Sequence, residues 1–196
     1  VRFIGDIHGK IGPYLNCLSG CTESIQVGDF GLGFGDITAS RVDSMLTGKH
    51  YFIRGNHDSP DECAKSKHWI VDGHYERGMM FVGGADSIDK EYRIEGVSWW
   101  RDEECSANNL GAYIDDYEQY KPRVMVTHDA PASIIGHLFS VYDGNRTRQA
   151  LDAMFSIHRP EIWIFGHWHK HVDQVIHGTR FICLAELEYI DLEIAK

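Results

Sequence analysis

An α/β fold is predicted by two observations. A unit made of a short apolar run, a loop of Gly, Asp, Asn and His, and a segment of helical periodicity recurs along most of the chain. From His171 onward the pattern changes to short runs of strand-like residues separated by turn signals. Alternating strands and helices build sheets whose strands run parallel under helical cover, and ligand sites in such sheets form outside the carboxyl ends of the strands.

The elements follow in order. Val1–Ile4 reads as a strand running into Gly5-Asp6, and Lys10–Leu18 has apolar residues at 11, 14, 15 and 18 with Pro13 near its start, the spacing of a helix. Ser24–Val27 is a second strand; the glycines of Gly28–Gly35 exclude regular structure there, and Thr38 caps a helix through Leu46. Tyr51–Ile53 is a third strand, entering Arg54-Gly-Asn-His-Asp58, and Pro60 opens a short helix. Trp69–Val71 and Met79–Val82 are strand candidates, Tyr75–Gly78 reads as a solvated turn, and Gly83–Trp100 is an irregular loop. Asp102–Tyr120 and Asn145–His158 have helical spacing, while Val124–Val126 and Ile162–Phe165 are strands leading to Thr127-His128-Asp129 and Gly166-His-Trp-His169. His171–Ile176, Thr179–Leu184 and Glu188–Ile194 are expected to close the chain as an antiparallel meander.

The 196 residues, 43% hydrophobic and 24% charged, are enough for one core, so a single domain over 1–196 is expected. Apolar stretches such as Ile162-Trp-Ile-Phe165 fall far short of the roughly 20 residues that cross a bilayer, so no membrane association is expected. Val1–Asp6 reads as a core strand rather than a leader. Five scattered cysteines without a Cys-x-x-Cys pair suggest neither a disulfide framework nor a zinc knuckle, and a reducing cytoplasm fits them. A formal net charge of −10 argues against extended nucleic acid as a partner and still allows a small phosphorylated ligand held by a local cationic centre. Oligomeric state is not legible.

Twelve histidines are above ordinary usage, and their placement carries the chemistry. Five strand ends present Asp6-Ile-His8, Asp29, Asn56-His57-Asp58, His128 and His167-Trp-His169. Each alone is a common turn sequence; together they are a set of metal-ligand residue types at five separate strand-to-loop junctions. Asp, Asn and imidazole suit Mn, Fe, Co, Ni or Zn, with Mn favoured, whereas an all-oxygen set would suit Mg or Ca. Seven donors (Asp6, His8, Asp29, Asn56, His128, His167, His169) are too many for one open catalytic ion and fit two ions sharing a carboxylate, whose negative charge offsets their mutual repulsion.

In order and over almost the whole chain, these residues resemble the calcineurin-like metallophosphoesterases, whose pattern is Asp-x-His, Gly-Asp, Gly-Asn-His-Asp/Glu, His and Gly-His-x-His. Gly5-Asp-Ile-His-Gly9 and Arg54-Gly-Asn-His57 are further similar to the branch holding the serine/threonine protein phosphatases and small bacterial and phage relatives. The resemblance implies a four-layer α/β/β/α sandwich with two mixed sheets between helices. It implies one metal on Asp6, His8, Asp29 and His169 and the other on Asp29, Asn56, His128 and His167. It also implies phosphoester hydrolysis, in which a hydroxide bridging the metals attacks phosphorus and His57 protonates the leaving group. Arg54 is the matched phosphate ligand, with Asn56 and His57 also at the substrate.

The protein phosphatases follow the bridging Asp with Asp-Arg-Gly, which orients the catalytic histidine and holds phosphate; here Gly28-Asp-Phe-Gly-Leu-Gly-Phe-Gly35 stands instead. Another group must orient His57, and Asp58 and Asp36 are the two candidates. The lost arginine also opens space, so small phosphodiesters join phosphomonoesters as expected substrates. A nuclease or cyclic-nucleotide phosphodiesterase and a non-catalytic scaffold of the same fold are the alternatives. Arg93 and Arg101 lie in the irregular loop, where a phosphate contact and an ordinary surface position are equally open readings. Trp99 is expected to pack and Trp168 to line the pocket.

Overall fold

The computed structural model describes residues 1–142 and 144–194. Among them the chain forms ten strands and six α-helices. One sheet contains β1 (Arg2–Ile4), β2 (Glu23–Gln26), β3 (Lys49–Phe52) and β10 (Tyr189–Asp191) in the order β10-β1-β2-β3. The other contains β4 (Tyr75–Glu76), β5 (Met79–Val82), β6 (Val124–Thr127), β7 (Ile162–Phe165), β8 (Val172–Ile176) and β9 (Thr179–Cys183) in the order β4-β5-β6-β7-β9-β8. The inner strands pair in parallel; β10, β4 and β8 lie antiparallel at edges, so both sheets are mixed.

Three apolar interlayers show how the layers stack. Phe3, Ile25, Val27 and Ile53 of the first sheet pack with Met79, Phe81, Val124, Val126, Ile164 and Ile182 of the second. On the far side of the first sheet, Ile4 and Phe52 pack with Tyr14 of α1 (Ile11–Cys17), Val42 of α2 (Ala39–Met45) and Cys63 of α3 (Pro60–Cys63). On the far side of the second, Met80, Val82, Met125, Trp163, Phe165 and Phe181 meet α4 (Ala107–Tyr120), α5 (Ala132–Phe139) and α6 (Arg146–Ile157). The two-residue alternation of side chains assigns each strand's residues to these two faces: Val124 and Val126 face one sheet, Met125 the helices. The result is the four-layer α/β/β/α sandwich.

Several elements differ from the sequence reading. The C-terminal meander is broken: β8 and β9 form the expected hairpin, but β9 pairs in parallel with β7, and the chain then crosses at Ala185–Glu188 so that β10 pairs with β1 in the other sheet. Tyr75-Glu76 is an edge strand instead of part of a turn, and Trp69 makes only an isolated bridge to Phe52. Helix α4 starts at Ala107, capped by the Ser106 hydroxyl, because the carbonyls of Asp102 and Glu103 are taken by Arg54. Helix α5 was not anticipated; it has Pro131 at its start and no polar side-chain cap to announce it. Thr38, Ser59 and Asn145 cap α2, α3 and α6 as their residue types dictate.

Candidate active site

Parallel strands with their carboxyl ends at one edge bring the five junctions together. Asp6 and His8 follow β1, Asp29 follows β2, Asn56 and His57 follow β3, His128 follows β6, and His167 and His169 follow β7. Glycines admit the close approach: a Cβ on Gly55 would lie 2.1 Å from Asp29 Oδ1, and one on Gly166 would lie 2.2 Å from Asp6 Oδ1. His8, Asp29, His167 and His169 all adopt positive φ, between 44° and 67°. That conformation costs a non-glycine residue roughly 1–2 kcal/mol, and its concentration at one spot marks a site that the surrounding fold holds under strain.

Two side-chain clusters share Asp29. One is Asp6, His8, Asp29 and His169, the other Asp29, His128 and His167, with ligand-type atoms within 4.8 Å of one another in each. In the first, His8 Nε2 stands 2.8 Å from His169 Nε2, which is 3.0 Å from Asp6 Oδ2; Asp29 Oδ2 is 3.8 Å from His8. In the second, His128 Nε2 lies 3.2 Å from Asp29 Oδ1 and 3.1 Å from Asn56 Oδ1. His128 Nδ1 sits 2.9 Å from the Val27 carbonyl, which fixes it as the N–H donor and turns Nε2 into the cluster. The sequence-predicted seven therefore converge, and Asn56 joins the second group through its amide oxygen. Imidazole nitrogens facing each other across buried carboxylates are poor hydrogen-bonding chemistry and good cation-binding chemistry, so the residues fit two divalent ions. Although burial opposes it, the Asp29 and Asp6 carboxylates hold the His128 ring at about 10, and His128 in turn keeps Asp29 well below the usual carboxylate range.

His57 stands at the rim, in edge contact with His8 at 5.1 Å and stacked on Phe34 at 5.9 Å between ring centroids. The Arg93 guanidinium lies 3.0 Å from its Nδ1 and 3.1 Å from its Nε2, and Asp89 holds the same guanidinium at 2.7 and 2.8 Å. Burial pushes His57 down to about 4; Asp29 opposes this and Arg93 adds to it. A cleft of about 400 Å³ opens here, lined by Asp29, Asn56, His57, Ser87, Ile88, Asp89, Arg93, Val141, Arg148, His167, Trp168 and His169.

Arg54 does not reach that cleft. It is 5% exposed, with Nε on Asp72, Nη1 on the carbonyls of Asp102 and Glu103, and Nη2 on Cys105 Sγ. Its expected role as phosphate ligand is corrected: these bonds hold the guanidinium on Asp72 and on residues 102–105, away from the cleft lining. Arg101 is 80% exposed at its side chain and paired with Glu95, and it does not line the cleft. Neither candidate for orienting His57 does so. The Asp58 carboxylate accepts the backbone N–H groups of Phe30, Gly31, Leu32 and Gly55, which locks the glycine-rich loop to the His57 loop. Asp36 is exposed and paired with Arg41. Trp168 lines the cleft as expected, between Phe139 and Arg148, its indole N–H on Asp129.

Residues 1–171 match the family of calcineurin-like phosphoesterases. The chain belongs to that family. Among solved structures, a putative 5'-nucleotidase from Staphylococcus aureus in complex with α-ketoglutarate superposes with a TM-score of 0.55 at 12% identity, over 94% of this chain and 48% of that one. A phosphopantetheinyl hydrolase from Mycobacterium tuberculosis gives 0.58 at 16% identity, over 94% of this chain and 89% of that one. These likenesses show the shared fold, and the chain spans about half the length of the Staphylococcus protein. No curated protein is close enough in sequence to count as a relative. Among the described residues, no helix of this family member is long and apolar enough to cross a membrane.

Proposed function

We propose that the protein is a metal-dependent phosphoester hydrolase acting on phosphomonoesters and small phosphodiesters at a centre of two divalent ions, with manganese preferred. One observation carries this reading: Asp29 lies between two histidine clusters that, with Asn56, draw on five strand ends, beside a cleft that also holds Arg93, Arg148 and His57 outside both clusters. Two divalent ions there supply charge to phosphoryl oxygens and acidify water.

The chain's own residues do the rest. Asp6, His8, Asp29 and His169 form one ligand set, and Asp29, Asn56, His128 and His167 the other. Arg93, not Arg54, is the cation placed to hold a phosphate oxygen, and Asp89 aims it at the cleft. His57 shares that arginine; burial and Arg93 hold its ring neutral in the free protein, and the negative charge of a bound phosphate raises it so that it passes a proton to the leaving-group oxygen. The substrate is a small phosphorylated molecule or a phosphoprotein. The test is hydrolysis of p-nitrophenyl phosphate and bis-p-nitrophenyl phosphate after chelation and reloading with Mn, Ni, Co, Zn or Mg. Activity that survives metal removal, or that never returns with any of these ions, contradicts the proposal.

A further inference from the structure

Asn56 can face the second ligand set with either end of its amide, and only the oxygen end binds a cation. In the structure its Nδ2 donates to Ser87 Oγ at 3.0 Å, Ser87 Oγ donates to Glu103 Oε2 at 2.6 Å, and Ser87 N donates to Glu103 Oε1 at 2.9 Å. All three residues are buried, at 3%, 2% and 2% exposure. Burial raises the Glu103 carboxyl and the two donors of Ser87 work against that; with Glu103 ionised, the order of donors is set. The Ser87 backbone N–H is a fixed donor, and an ionised carboxylate only accepts, so the one hydroxyl hydrogen goes to Glu103. Ser87 Oγ then has only lone pairs to offer Asn56, which must answer with its NH₂. That leaves Oδ1 facing His128, where it lies 3.1 Å from Nε2.

We infer that Ser87 and Glu103 are positioning residues that set the orientation of the Asn56 amide, and that through it the 83–105 segment governs affinity at the metal position shared by Asn56, His128 and His167. The inference rests on the reading of Asn56 as a metal ligand. Glu103 touches no ligand itself and acts only through the serine. Its backbone is pinned, since the Glu103 carbonyl accepts from Arg54 Nη1 at 2.9 Å, so the relay has a rigid far end. Partners of this kind behind a ligand are worth about 10–100-fold in metal affinity.

The isosteric Glu103→Gln change reverses the relay. The Ser87 N–H requires the Gln oxygen, so the Gln NH₂ faces Ser87 Oγ. The hydroxyl hydrogen then has no acceptor unless Asn56 turns its own oxygen toward Ser87 and its NH₂ toward the metal. Adding Asn56→Asp repairs this, because a carboxylate offers one oxygen to Ser87 and the other to the cation.

The experiment is Mn²⁺ binding by equilibrium dialysis and calorimetry, with melting temperature measured alongside. The wild-type chain binds two Mn²⁺; Glu103→Gln weakens one of the two by about tenfold or more at little change in melting temperature; Glu103→Gln with Asn56→Asp recovers it. Ser87→Ala, a smaller change, weakens the same position. Two full-affinity sites in both Glu103→Gln and Ser87→Ala overturn the relay, as does an equal loss at both sites that Asn56→Asp does not restore. A wild-type chain that takes up fewer than two Mn²⁺ overturns the dinuclear reading itself, before any variant is compared.

Discussion

The Arg93 guanidinium lies within 3.1 Å of both ring nitrogens of His57 while its other edge is held by Asp89, so one cation from an irregular loop is fixed against the histidine at the end of β3. A neutral imidazole has a single acceptor nitrogen, so only one of those approaches is a full hydrogen bond. A phosphate oxygen is a stronger partner for the guanidinium than the ring is.

Arg93→Ala should therefore lower kcat/KM for p-nitrophenyl phosphate by about 10²-fold with Mn²⁺ content unchanged. Arg93→Lys should recover part of this, since it keeps the charge and loses the fork. Steady-state kinetics with elemental analysis decides it; wild-type kcat/KM in Arg93→Ala would remove Arg93 from substrate binding.

Arg54 should behave oppositely. Its removal leaves the buried Asp72 carboxylate without its ion-pair partner and frees two carbonyls, a loss of roughly 3–5 kcal/mol of stability. Denaturant unfolding of Arg54→Ala should show it as a lower midpoint at similar slope. A variant as stable as wild type, with a specific rise in KM for monoesters, would return Arg54 to phosphate binding.

Much of the centre was legible because the candidate metal ligands sit at strand ends, where hydrophobic runs stop and polar residue types stand out: Asp6, Asp29, Asn56, His128 and His167 are each the first or second polar residue beyond a buried run. What lay beyond it was not. Ser87, Asp89 and Glu103 reach the site from a segment without periodicity, so no spacing rule announces which of its many polar residues turn inward. Arg54 misled because its motif position is shared by phosphate-binding arginines, while its orientation depends on Asp72, 18 residues away. The path of β10 was hidden because pairing partners are chosen by tertiary packing: the run after Ala185 pairs with β1 or β9 by the same propensity.

Asp58 gives a third prediction. One carboxylate accepting four backbone N–H groups cannot be replaced by an amide, which adds donors where donors already converge. Asp58→Asn should cost about 2–3 kcal/mol in unfolding free energy. Unchanged stability would mean that the clamp between the Phe30–Leu32 and Gly55–Asp58 loops contributes nothing.

Metal uptake should depend on pH with a definite sign. In the metal-free protein His128 is held at about 10, so below that pH a cation must displace its proton. Apparent Mn²⁺ affinity should rise roughly tenfold per pH unit between about pH 6.5 and 8.5, with proton release visible as a buffer-dependent heat. For the metal-free fold the sign is the reverse: the raised His128 contributes stability fully below its unfolded value near 6.5 and loses it as pH rises through about 10. The depressed Asp29 contributes above about pH 4 and loses it on acidification. Affinity that is flat across this range would contradict the His128–Asp29 pairing.

The most direct test of the dinuclear centre is the Mn²⁺ content of the dialysed wild-type, Asp29→Ala and His8→Ala proteins, measured by elemental analysis. Asp29 serves both ligand sets and His8 only one. The geometry predicts two ions per wild-type chain, one in His8→Ala and fewer than one in Asp29→Ala; a single ion in the wild type, or equal retention of one ion by both variants, would contradict a centre bridged by Asp29.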